Sequence, residues 1–157
     1  MSLMARRRAH VAAIGALLAA VAGCGSTERE QVPVACLGEP DTIALALERA
    51  PAKVTLEDGT PLSRCVRLAA RRDGDLQALG VSLMRVADDL RVQTRTDAQA
   101  AVRLGYLIGA VRRGAAKTPG LAAQLARRVE QTAAPERDDP VAREALLRGV
   151  TSGEDGG

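Results

Sequence analysis

Aromatic residues are almost missing from this chain: it has no Phe, no Trp, and Tyr106 as its single aromatic. Recognition of nucleic acid by base stacking needs aromatic faces, so that mode is excluded. Histidine is as scarce, with His10 alone and inside an apolar stretch near the start. The remainder of the chain therefore cannot build Ser-His-Asp or Cys-His nucleophilic sites, nor zinc or haem sites that use imidazole. Excess charge is lacking too. The formal charge of +3 belongs entirely to Arg6, Arg7 and Arg8, since without them the 22 basic residues fall to 19 and match the 19 acidic ones. A basic footprint for nucleic acid is thus absent, and the residues identify no cofactor, no metal site and no catalytic constellation.

Long hydrophobic runs are also wanting. The apolar stretch from Ala9 to Ala20 and a little beyond, about 14 residues, is shorter than the roughly 20 that a spanning helix needs. It comes after Arg6-Arg7-Arg8 and ends in small residues. A positive segment, a short apolar core and small residues are the layout of an export signal, placed at 1–23.

That signal runs into Val21-Ala22-Gly23-Cys24, and these four residues resemble the lipobox of bacterial lipoproteins. The resemblance covers the first 24 or so residues. It implies that Cys24 receives a diacylglyceryl group through its sulfur, that the leader is cut just before it, and that the chain is then held at a membrane of the cell envelope by its lipid. Two other readings of the same residues stand beside it: an ordinary cleavage site with an accidental cysteine, and an uncleaved anchor helix. Arg6-Arg7 succeeded by Arg8-Ala9-His10 lacks the polar-apolar pattern of a twin-arginine signal. The stretch 24–37, rich in Ser26, Thr27, Glu28, Glu30 and Gln31, reads as a flexible tether with little to bury.

Three cysteines occur, and with Cys24 assigned to lipid two remain. In an oxidising compartment Cys36 and Cys65 are expected to pair as a structural staple. Nothing nearby suggests a redox-active pair, which would want a C-x-x-C spacing or an activated thiol.

From Asp41 the pattern is helical. Ile43, Ala46, Leu47 and Ala50 share one face, and Pro51 ends the helix. Val54 to Thr60 predicts a short extended segment with an Asp-Gly turn. Thr60-Pro61 opens a second helix with Leu62, Cys65, Val66 and Ala69 on its face. The third, over 75–92, carries a stripe of Leu76, Leu79, Leu83, Val86, Ala87 and Leu90, widened by Val81 and Met84. The fourth opens on the capping-box pattern Thr96-Asp97-Ala98-Gln99, and a fifth starts after Thr118-Pro119 with Leu121, Leu125, Ala126 and Val129 inward. Short connections predict a mainly α, antiparallel bundle of about four to five helices over 38–134. The stretch 135–157 reads as a weak helix at Val141 to Leu147 and a frayed, disordered tail from Gly149.

Ala101, Gly105 and Gly109 form a small-xxx-small seam, expected to mark a close helix contact inside the bundle. Arg71-Arg72, Arg112-Arg113 and Arg127-Arg128 fall near helix C-termini, where cations complement the macrodipole; a subset facing anionic headgroups is the sharper alternative. Asp88-Asp89 and Asp138-Asp139 read as solvated pairs or caps. The functional expectation is a non-catalytic, lipid-anchored envelope protein that binds or scaffolds another envelope component. The alternatives are a small envelope enzyme using carboxylates, which needs a pocket gathering titratable groups in opposed environments, and a carrier of an apolar ligand.

Overall fold

Leu104 to Val111 is apolar without interruption, and a helix apolar on every side needs neighbours on every side. That requirement organises the fold. In the computed structural model, which describes residues 30–133 and 139–157, a 3-10 turn at Val34–Leu37 precedes α1 (Pro40–Leu47), α2 (Leu62–Ala69), α3 (Asp73–Gln93), α4 (Ala98–Ala115), α5 (Leu121–Thr132) and α6 (Pro140–Gly156). The central helix is α4, which packs against the other five. Leu104, Tyr106, Leu107, Ala110 and Val111 along it have no exposed surface. The described residues are mainly helical, with six helices and a single isolated bridge between Thr55 and Pro61.

The predicted stripes face this core. On α1, Ile43, Ala46 and Leu47 are buried; on α2, Leu62, Cys65, Val66 and Ala69; on α3, all six residues of the stripe. Helix starts differ by a residue or two from the sequence expectation. α1 begins at Pro40, α2 at Leu62 with Pro61 as its N-cap, and α3 at Asp73. Asp97 caps α4, its Oδ1 accepting from Gln99 N at 2.8 Å, in place of the Thr96 capping box.

Cys36 and Cys65 are joined, with Cα atoms 5.3 Å apart and both side chains fully buried. The bond fastens the 3-10 turn to α2. The expected tether over 24–37 is therefore corrected at its end: Val34–Leu37 is a turn with Cys36 in the core, because the disulfide to α2 and packing against α3 offset the cost of ordering it. Cys24, like all of 1–29, lies outside the described residues.

A larger correction concerns 135–157. Pro140–Gly156 is one continuous helix, opened by Asp139, whose Oδ1 accepts from Val141 N at 2.9 Å. The frayed tail from Gly149 is absent. Gly105 and Gly109 of α4 meet Gly149 and Gly153 of α6 in a reciprocal seam. A Cβ on Gly105 would collide with the carbonyl of Leu146, on Gly109 with that of Val150, on Gly149 with that of Val102, and on Gly153 with that of Tyr106. The order of these partners makes α4 and α6 parallel neighbours. Glycine weakens an isolated helix by about 1 kcal/mol relative to alanine, but here the missing side chains let two backbones touch, as in small-xxx-small pairs.

Parallel helices bring two partly negative C-termini together. Arg112 and Arg113, in the last turn of α4, answer that field. Arg112 Nε donates to Glu130 Oε1 of α5 at 2.6 Å and its Nη1 lies 3.4 Å from Glu154 Oε1 of α6. The hydrogen bond to Glu130 chiefly, with the charge of both glutamates, raises the Arg112 pKa further. Arg113 Nη1 donates to the carbonyls of Glu154 and Asp155, and Ser63 Oγ of α2 donates to the carbonyl of Gly157. These contacts finish α6.

Tyr106, buried at the centre of α4, accepts a hydrogen bond from Val54 N at 2.9 Å through its hydroxyl. That bond holds the α1–α2 connection onto the core. Burial raises the phenol pKa above its ordinary 10.0, and the Val54 hydrogen bond and the Arg113 charge pull it partly back. The folded state thus keeps the proton that the unfolded chain releases near pH 10.0. The stabilisation is full below that pH and lost as pH rises through the higher folded value. Because the chain has one tyrosine and no tryptophan, tyrosinate absorbance reports this group alone. It is expected to appear on alkaline titration later than in a denatured sample, together with loss of helicity; titration coinciding with the denatured curve would contradict the buried phenol.

Candidate functional site

Two helices that cross the surface of a bundle leave a groove wherever a small residue replaces a large one between them. α3 and α5 do so at Gly80. The groove has a volume of about 640 Å³, within the usual range for sites that take small molecules. Leu76 and Leu125 form its floor, Met84 lies partly buried beside them, and Val81 and Leu121 stand on its rim at 68% and 51% exposure. Gln77, Gln124, Asp73 and Arg128 supply the polar edge. A Cβ on Gly80 would lie 3.5 Å from Leu125 Cδ1, an ordinary contact. Gly80 therefore opens the groove without being needed for close packing.

The sequence pattern places Leu121 inward, and the structure corrects this: α5 is rotated so that Ala122, Leu125, Ala126 and Val129 are buried while Leu121 faces out. The fourth helix, with its many Ala and Leu positions, offers no surface patch because its neighbours cover it. The candidate surface belongs to the third and fifth.

A second depression, about 270 Å³, lies between α1, α3 and α4 and gathers Asp41, Glu48, Asp89 and Arg103. All three carboxylates are exposed. Asp89 pairs with Arg85 at 3.3 Å and Arg103 with Asp97 at 3.6 Å. These are solvated ion pairs, each worth about 0 to 1 kcal/mol. Acid–base chemistry by two carboxylates wants one buried beside one ionised, and this arrangement offers only water-facing groups.

Of the residues singled out from sequence, Cys36 and Cys65 come together as a buried disulfide and Cys24 lies outside the described residues. Arg71 and Arg72 border a cleft of about 320 Å³ with Glu30, Val32 and Leu68. Arg112 and Arg113 hold α6, and Arg127 and Arg128 are exposed on α5. Among the described residues no group of three or more His, Cys, Asp or Glu is placed to hold a metal ion. No described helix is long and apolar enough to cross a membrane. In the sequence Val81 and Met84 widen the buried α3 stripe, and the structure corrects this: Val81 is exposed and Met84 only partly buried, and with Gly80 they line the groove, which takes the rotation of α5 to interpret. Comparison with family models, curated proteins and solved structures finds no match to this chain.

Proposed function

We propose that this chain is a lipid-anchored, non-catalytic protein of a bacterial cell envelope, held at the membrane through acyl chains on Cys24 and acting by binding in the α3–α5 groove. The observation that carries the reading is Cys24 itself, directly behind Val21-Ala22-Gly23 and a leader with three arginines and a short apolar core. The buried Cys36–Cys65 pair supports it, since such bonds persist in oxidising compartments. So does the groove, whose apolar floor and polar rim suit an apolar ligand or partner surface better than a reaction.

One acyl chain gives only reversible attachment, and two or more make it stable, at about 0.8 kcal/mol for each buried methylene. Cys24→Ala is therefore expected to move the protein from the membrane pellet to the soluble extracytoplasmic fraction, while the parent resists high salt and is released by detergent. Fractionation and immunoblotting check this. Retention of the parent on the membrane with its leader still attached would contradict the lipid anchor and favour an uncleaved helix.

A further inference from the structure

We propose that the α3–α5 groove is the seat of one fatty-acyl chain carried on Cys24, occupied while the protein is away from a bilayer. The inference rests on the lipid-anchor reading above and adds the occupant of the groove. Glu30, the first described residue, is paired with Arg64 of α2 and borders one cleft with Arg71 and Arg72. The next residue after Arg72, Asp73, lines the end of the groove. The fixed end of the tether and the mouth of the groove thus share one corner of the molecule.

Reach and shape agree with that placement. Glu30 is six residue steps from Cys24, a span of at most about 20 Å when extended. The groove runs along α3 from Asp73 to Met84, about 17 Å at the helical rise, commensurate with most of an extended acyl chain. Its lining of Leu76, Val81, Met84, Leu121 and Leu125 is aliphatic and flexible, and Gly80 leaves the floor open. An occupant on a short tether competes at high effective concentration with any free ligand. A bilayer surrounds an acyl chain on all sides, whereas the groove covers one side, so insertion into a membrane empties it.

The test uses the lipidated protein isolated from membranes, with Val81 replaced by a benzophenone amino acid. Equal parts isotopically light and heavy protein are irradiated after detergent removal, with and without phosphatidylcholine vesicles, and analysed by mass spectrometry. The expected result is an adduct joining position 81 to the acyl group of Cys24 within one chain, lost when vesicles are added and lost in Gly80→Leu, where the floor is filled. Adducts between light and heavy chains, adducts to carried-over phospholipid alone, or no adduct although Cys24 is acylated would overturn the inference and leave the anchor standing. A Cys24 without acyl groups would overturn both.

Discussion

Gly149→Ala is expected to lower the unfolding free energy by about 2 to 4 kcal/mol, against the gain of about 1 kcal/mol that helix propensity alone assigns to it. The added methyl would meet the Val102 carbonyl and lie 2.8 Å from Tyr106 N. Both partners belong to the α4 backbone, which has core neighbours behind it and cannot yield as a flexible side chain would. Relief requires α6 to move away from α4. That movement would also draw Glu154 and Asp155 from Arg112 and Arg113 and the Gly157 carbonyl from Ser63. Gly74→Ala is the control, because a Cβ there meets nothing within 4 Å in the first turn of α3. It is expected to stabilise by about 0.4 to 1 kcal/mol. Urea unfolding monitored by circular dichroism measures both, and equal gains from the two substitutions would show that the glycine seam does not hold α6.

Removing the disulfide by Cys36→Ala together with Cys65→Ala is expected to cost about 3 to 4 kcal/mol, the loop-closure entropy for a separation of 29 residues. A typical domain has about 5 to 15 kcal/mol in all, so the loss is a large share. It should also be local before it is global. Besides the bond to α2, the turn at Val34–Leu37 rests on contacts with α3, and its flanks are held by the exposed Arg64–Glu30 pair and a 3.3 Å hydrogen bond from Ser82 Oγ to the Gly38 carbonyl. Cleavage by a protease near this turn, in the variant but not in the parent, checks the local part; a urea midpoint unchanged by reduction would contradict the global part.

Side-chain periodicity carries most of the fold. α1, α2 and α3 are legible because leucine, isoleucine, valine and alanine recur on one face, and burial of that face against α4 is what fixes each helix. Tyr106 lies in an uninterrupted apolar run, in keeping with its burial, but its bond to Val54 joins residues 52 apart and is not legible in the sequence. α6 escapes for a different reason. Its interface is made by the absence of side chains at Gly149 and Gly153, and glycine scores as a helix breaker unless a partner with the same spacing is recognised. That partner is in view at Gly105 and Gly109, but pairing two such seams requires knowing that the helices run parallel and adjacent. The groove escapes because exposure of Leu121 depends on the rotation of α5 about its own axis, which a short amphipathic pattern does not define to within one residue.

The arginine pairs show how one residue pattern divides by context. Arg112 and Arg113 serve the C-termini of two helices, which the macrodipole argument anticipates in kind. Arg71 and Arg72 instead border a cleft shared with Glu30, Val32 and Leu68.

The covalent state of Cys24 decides the lipid-anchor reading, and mass spectrometry of the N-terminal peptide of protein taken from its native membranes measures it. A peptide beginning at Cys24, heavier by a diacylglyceryl group on sulfur, is the predicted result. An unmodified thiol at Cys24, with the preceding residues still attached or cut at another bond, would contradict it.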